Sequence, residues 1–465
     1  MNTDNLLNQI KSGEKLSLRQ QIMLIIKLSI PAIFAQISSI LVEYIDASMV
    51  GRLGEKSSAA IGLVSTSTWL LGGITHAAAV GFTVQIAHFI GAKDEKGARR
   101  IVRQAMVVAL GVSLSLLAIA ASISPNLPKW LGGEEAVWKE ASTYFLVYAF
   151  TIPVYQFSYL ATGMLQCSGN MLLPSIMHIL TCFLDIVFNF FLIFPSREMH
   201  ILGNNIFMPG AGLGVMGAAL GTSISVLLIA GIMLYYVLFR SKVLALRKEE
   251  KLEFNKTDLK KALHIGIPVA LEQFVMSGAY IGSTLIIAPL GSVAVAAHSF
   301  AITAESLCYM PGYGVSQAAT TVIGQSIGAG RKDLAKRLGW IAVGLGMIMM
   351  AASGAVMYVI APFMMRLITP VVAISALGAE ILRIEVFAEP MYGASIVASG
   401  VFRGAGDTTG PCILNFLSVW LVRLPLSAVL AKTMGLQGVW LAMCIELSVR
   451  GILFLIRLGT NKKLK

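Results

Sequence analysis

Glu43 and Asp46 lie three residues apart in the stretch LVEYIDASMVGRLG (41–54), near the end of a long apolar run. An ionised side chain inside such a run costs roughly 2.5–3.5 kcal/mol on insertion scales, and those that persist usually face a cavity or a partner. Together with Gln36 and Ser39 the two acids follow a spacing of i, i+3, i+7, i+10, which is one face of a helix. Hydrogen bonding to neighbouring helices would explain Gln36 and Ser39. It would not explain two acids, because adjacent carboxylates repel unless one is protonated or a cation lies between them. The stripe can therefore hold Na⁺ through oxygen ligands or hold protons.

Asp185 and Asn189 extend the set. With Arg52 and Pro195 as the outer ends of their spans, a rise of about 1.5 Å per residue puts Asp46 and Asn189 each about 9 Å below the boundary. Glu43 and Asp185 then lie about one turn deeper, so four oxygen-bearing side chains converge if the two spans are neighbours. In the second half, Glu272, Glu305 and Glu389 fall within apolar stretches, as does Arg423. Glu389 precedes Pro390, where a kink would free a backbone carbonyl toward a cavity. One of these acids is expected to pair with Arg423; for each taken singly, an ion pair and a substrate contact are equally good readings. The five cysteines and six histidines show no metal-ligand spacing. No nucleophile and base pair stands out either, so neither an enzyme nor a bound cofactor is expected.

The elements that carry these residues must cross a bilayer. Of 465 residues, 56% are hydrophobic and 13% charged, far from the roughly 25% charged of soluble domains. Apolar stretches of about 20 residues, each able to span a hydrocarbon core as a helix, recur near 21–50, 57–88, 100–124, 138–163, 172–195, 212–239, 258–288, 294–325, 335–362, 376–401, 410–431 and 437–459. The net charge of +12 comes from clusters at Lys11–Arg19, Lys93–Arg103, Arg240–Lys261, Arg331–Arg337 and Lys462–Lys465. Twelve spans put all of them on one side, and the positive-inside rule makes that side, with both termini, the cytosol. Membrane topology thus accounts for the charge, and no nucleic-acid partner is expected. The first twenty residues show no cleavable leader, so the first span is expected to act as the insertion signal.

The chain also matches itself. A shift of 237 lays Pro31 on Pro268, Gln36 on Gln273, Leu53-Gly54 on Leu290-Gly291 and Ile90-Gly91-Ala92 on Ile327-Gly328-Ala329, with about fifteen identities between 31–100 and 268–337. The first half carries about sixteen extra residues around Arg197–Gly210. The expected fold is an all-α integral membrane protein, with twelve transmembrane helices in two six-helix lobes related as a parallel internal repeat. The expected division is a cytosolic segment 1–20, an N-lobe 21–240, a cytosolic linker 241–257, a C-lobe 258–459 and a cytosolic tail 460–465. Two such bundles suit alternating access around a cavity, which implies a transporter. The second-half counterparts of Glu43, Asp46 and Asp185 are Tyr280, Ser283 and Val422. The acids therefore belong to one half only, which favours function over packing.

With DASMVGRLG (46–54), MPGYGVSQAATTVIGQ (310–325), GQSIGAG (324–330), RGAGDT (403–408) and Arg423 in LVRLPL in view, the chain resembles the multidrug and toxic compound extrusion (MATE) family over roughly residues 20–460. The resemblance implies two lobes facing each other in a V. It also implies a secondary antiporter that expels organic, commonly cationic, compounds or amphiphiles in exchange for Na⁺ or H⁺. The family's first-span aspartate falls on Asp46, and its fifth-span polar pair on Asp185 and Asn189, here with the acid first. A glutamate found in some branches eight residues after the seventh-span proline is replaced by Met276, with Glu272 one turn earlier. Gln36, Glu43, Asp46, Asp185 and Asn189 are thus the expected cation-coupling residues, and Glu272, Met276, Glu305, Glu389 and Arg423 the expected substrate cavity. The expected setting is the plasma membrane, with lipid around a monomer. The main rival, a flippase for a lipid-linked sugar or phospholipid, would call for several intramembrane Arg or Lys, whereas acids outnumber bases here.

Overall fold

The computed structural model describes residues 3–201, 204–247, 249–250 and 253–461. Lys248, Lys251 and the basic tail Lys462–Lys465, all part of the charge clusters above, lie outside them. The described chain is almost entirely helical. A short helix α1 (Thr3–Ser12) precedes α2 (Leu18–Gly51), α3 (Glu55–Gly91) and α4 (Glu95–Ile123), and a single turn, α5 (Leu127–Trp130), leads into α6 (Glu135–Cys167) and α7 (Leu172–Ile193). A hairpin of β1 (Pro195–Ile201) and β2 (Asn204–Ala211) leads to α8 (Gly214–Tyr235). The second half runs α9 (Lys256–Ile287), α10 (Ser292–Gly328), α11 (Lys332–Ile368), α12 (Val372–Glu385), α13 (Glu389–Gly404), α14 (Thr409–Ser418) and α15 (Leu424–Thr460).

Among the described residues, nine helical segments are long and apolar enough to cross a bilayer. At 33 residues α6 has the length, but its apolar run is diluted by Tyr144, Tyr148, Tyr155 and Tyr159. α12 and α13 interrupt what the sequence reads as one span. The helix stops at Glu385 and restarts at Glu389 with Pro390 in its first turn, where a missing N–H costs nothing. α15 reverses at Gly435, whose φ of 59° and ψ of −137° suit only a residue without Cβ. The extra residues of the first half form the hairpin, with Arg197 stacked on Phe190 and Phe194 at 4.7 and 4.4 Å. Element bounds recur at the shift of 237: α3 maps onto α10 at both ends, the start of α4 onto that of α11, the span of α6 onto α12–α13 and the start of α7 onto that of α14.

The two halves of the chain pack together at the face that carries Ser17, Gly91, Lys256 and Gly328, called here the terminal face. α3 and α10 cross there at glycine: a Cβ on Gly91 would strike the Gln325 carbonyl, and one on Gly328 the His88 carbonyl. Hydrogen bonds tie the crossing, from Gln325 Nε2 to the Cys167 carbonyl at 2.9 Å, from Thr321 Oγ1 to the Gln166 carbonyl at 3.0 Å, and between a His88 ring nitrogen and the Gly404 carbonyl at 2.8 Å. α1 lies over the same joint. Leu6, Leu7 and Ile10 are buried, Leu7 rests on Gly169 at the end of α6, and Arg331 Nη1 donates to the Gln9 and Ile10 carbonyls at 3.2 and 3.3 Å. The linker is anchored by charge. Glu250 meets Arg99 at 2.8 Å and Arg103 at 2.6 Å, and Asp258 meets Arg100 at 2.9 Å. The two guanidiniums, Arg99 foremost, pull the Glu250 carboxyl down to about 2.

Candidate functional site

α2 and α7 are neighbours running in the same direction, as two successive contacts show. Ser39 Oγ lies 2.6 Å from His178 Nε2, and about two turns further along α2 and three along α7 Asn189 Nδ2 donates to Asp46 Oδ1 at 2.9 Å. The same Nδ2 donates to Asp185 Oδ1 at 3.3 Å, back along its own helix by four residues. One amide group thus holds two carboxylates side by side. Asp185 and Asn189 are buried and Asp46 is partly so. α8 fixes the amide from behind, since a Cβ on Gly221 would collide with Asn189 Oδ1. That oxygen is buried without a hydrogen-bond partner among the described residues. The level placement of Asp46 and Asn189 read from helical rise is therefore the arrangement found, and Asp46, Asp185 and Asn189 are brought together.

Two residues of the expected set are not. Glu43 stands one turn along α2, exposed, and makes no hydrogen bond to the other three. Gln36 points to the second half, its Nε2 3.8 Å from Met310 Sδ of α10. Its place on the polar stripe put it on the same helix face as Asp46, but ten residues of helix separate them by about 15 Å, and at Gln36 the facing element is α10.

In the second half the acids occupy three settings. Glu272 on α9 accepts from Asn415 Nδ2 of α14, and Met276 is half-buried one turn beyond it. Glu305 on α10 is buried. Glu389 opens α13 and Glu385 closes α12; both are fully buried, and among the described residues none of their four carboxylate oxygens has a hydrogen-bond partner. The expected pairing of one acid with Arg423 is not what forms. Arg423 Nη2 meets Met443 Sδ at 2.7 Å, and among the described residues Arg423 makes no ion pair. The intramembrane pair is Arg450 with Glu446, 3.0 Å apart on α15 and both buried, with Ser418 Oγ donating to Glu446 at 2.6 Å and the guanidinium 5.4 Å over the Tyr392 ring. Arg450 is held in the interior because its own helix supplies the counter-charge.

The MatE family model matches the chain twice, over residues 31–191 and 268–429. The chain belongs to the MatE family. "Probable multidrug resistance protein NorM" of Thermotoga maritima is 29% identical over 442 residues, covering 93% of this chain and 91% of the relative. "Multidrug resistance protein MdtK" of Yersinia pestis is 25% identical over 459 residues, covering 94% and 95%. Among solved structures, a multidrug resistance MATE family transporter of the MOP superfamily in an outward-facing conformation superposes with a TM-score of 0.88 at 21% identity, over 99% of this chain and 100% of that one. A Pyrococcus furiosus MOP superfamily transporter, described as having a binding pocket of reversed polarity, superposes at 0.87, also at 21% identity, over 97% of each chain. The protein is accordingly a multi-pass membrane transporter of MATE fold.

Within this family fold the structure adds groups that the sequence reading left out of the site. Glu385 was visible as an intramembrane acid, and its four-residue spacing from Glu389 was the available signal. A row of tyrosines lines α6: Tyr148 and Tyr155 have ring centroids 5.5 Å apart, Tyr155 and Tyr159 6.3 Å, and Tyr159 meets His76 of α3 edge-on at 5.5 Å. Its signal was the run of tyrosines at 144, 148, 155 and 159, again one helical face. Tyr309 continues the aromatic surface in the second half, 5.6 Å from Tyr392 and 6.1 Å from Tyr313.

Proposed function

We propose that this MATE transporter is a secondary antiporter that exports small organic, commonly cationic, compounds in exchange for Na⁺ or H⁺. The observation that carries the reading is the single Asn189 amide shared by Asp46 and Asp185. Two carboxylates held this close repel unless a cation or proton joins them, so arrival of the ion changes the force between α2 and α7. Exchange is coupled when the ion favours one access state and the substrate the other. The tyrosines of α6 and the Tyr309–Tyr392 pair offer aromatic faces to a passing organic cation. The printed names of the NorM and MdtK relatives support multidrug export. Their flippase rival is disfavoured, because the cavity acids outnumber intramembrane bases.

The topology proposed with this function has twelve spans. The nine apolar segments supply ten once α14–α15 is divided at Gly435, and α6 and the broken α12–α13 complete the count. The recurring element bounds and the double family match support two lobes, 21–240 and 258–459, joined by the linker 241–257. The terminal face then lies in the cytosol of a plasma-membrane protein acting as a monomer.

The test is efflux of a fluorescent cationic dye from proteoliposomes with Na⁺ and pH gradients imposed separately. Efflux is expected under the gradient of the coupling ion, and under neither gradient if transport is not ion-coupled. Asp46→Asn is expected to abolish gradient-driven efflux while the protein inserts normally, and undiminished export by that variant would overturn the reading.

A further inference from the structure

Away from the acid cluster, a cavity of roughly 630 Å³ opens on the flank of the second half between α11, α12 and the limb of α15 beyond Gly435. All of its lining residues belong to the second half. Its walls are apolar, with Pro362 and Leu441 among them, but three charged residues line it: Arg366, Glu380 and Arg383. Arg383 is held in place by its Nε donating to the Tyr358 carbonyl at 3.1 Å, and its guanidinium lies 5.3 Å over the Tyr358 ring. That leaves its two terminal nitrogens for another acceptor. Among the described residues neither Arg366 nor Arg383 is ion-paired. With one acid against two guanidiniums, the cavity is net positive.

Its depth suits a headgroup. Arg366 lies two residues from the end of α11, and Arg383 lies eleven residues into α12, which starts at the same face. Arg383 is therefore about 16 Å below the helix ends. α11 has 37 residues, about 55 Å of helix against a hydrocarbon core of about 30 Å. The excess, shared between the two faces, brings the arginines to the headgroup and upper acyl level. A guanidinium there seeks a polar partner, and a phosphodiester offers bidentate acceptors.

We propose that this cavity binds an anionic glycerophospholipid of the leaflet opposite the terminal face, with its headgroup phosphate between Arg366 and Arg383. Juxtamembrane basic residues contribute about 1 kcal/mol each toward anionic lipid, so two correspond to a preference on the order of thirtyfold over a zwitterionic lipid.

The experiment compares the purified full-length transporter in nanodiscs of phosphatidylcholine with and without phosphatidylglycerol, counting retained lipids by native mass spectrometry and following thermal unfolding. The expected result is retained phosphatidylglycerol together with a raised unfolding temperature. Both are lost in R366Q/R383Q, unchanged in K432Q, which removes a basic residue outside the cavity, and strengthened in E380Q. E380Q keeps the question decidable if the double variant folds poorly. Equal retention of the two lipids would overturn the proposal. So would an unaltered phosphatidylglycerol effect in R366Q/R383Q, no gain in E380Q, or the same stabilisation by soluble glycerol phosphate.

Discussion

Asn189 is the residue that joins the carboxylates of Asp46 and Asp185, and Gly221 is what aims it. A methyl group at Gly221 has no space without moving the Asn189 carbonyl oxygen, so Gly221→Ala is expected to destabilise by about 1–3 kcal/mol, the usual cost of overpacking. It should also lower ion-driven dye efflux more than it lowers protein yield; thermal unfolding and vesicle transport read the two effects separately. Glu250 supports a second expectation. Its carboxyl is depressed to about 2 by Arg99 and Arg103, below the ordinary carboxylate value near 4.3. A group with a lowered folded-state pKa stabilises fully above its unfolded value and loses that contribution as pH falls through the folded one. Unfolding temperature should therefore fall from about pH 5 toward pH 2 partly through Glu250, and Glu250→Gln should be less stable at neutral pH with a shallower acid dependence.

At the scale of elements, α1 and the Gly435 turn carry the clearest expectations. Ile10 is fully buried under α1, so Ile10→Ala should cost about 2–5 kcal/mol, measurable as a lower unfolding temperature in detergent. Any side chain at Gly435 must take up φ 59° with ψ −137°, and Gly435→Ala should cost about 1–3 kcal/mol by straining the reversal of α15. These elements also show what could be read in advance. Asp46, Asp185 and Asn189 were legible because depth along a regular helix is a matter of counting residues. The partner of Arg423 was not, because a π-turn at Val419–Arg423 inserts an extra residue per turn and rotates the side chain out of the expected phase. The reversal at Gly435 then brings Met443 to it. The extra residues after α7 were legible only as an insertion, because the pairing of their hairpin is decided by strand register that no repeat partner could reveal. α1 escaped notice in a segment rich in charge, although Leu6, Leu7 and Ile10 already marked one apolar face.

For the molecule as a whole, the halves are joined where α3 and α10 cross at Gly91 and Gly328. Gly328→Val would drive a side chain into the His88 carbonyl, and it is expected to part the halves at the terminal face, lowering both unfolding temperature and dye efflux. The α3–α10 crossing is the kind of close backbone approach that small residues permit between membrane helices. α1 bears on the same joint in a different way. Leu7 is seated on Gly169 of the first half, while Arg331 of the second half holds the last carbonyls of α1, so a rigid parting of the halves there cannot keep both contacts. Losing the seat of Leu7 on Gly169, at about 1.5–3 kcal/mol for one buried aliphatic side chain, would lower the population of a state open at that face by roughly ten- to a hundredfold. In the alternating access proposed above, α1 would therefore act on the access equilibrium as a tethered ligand does, biasing occupancy without leaving the chain.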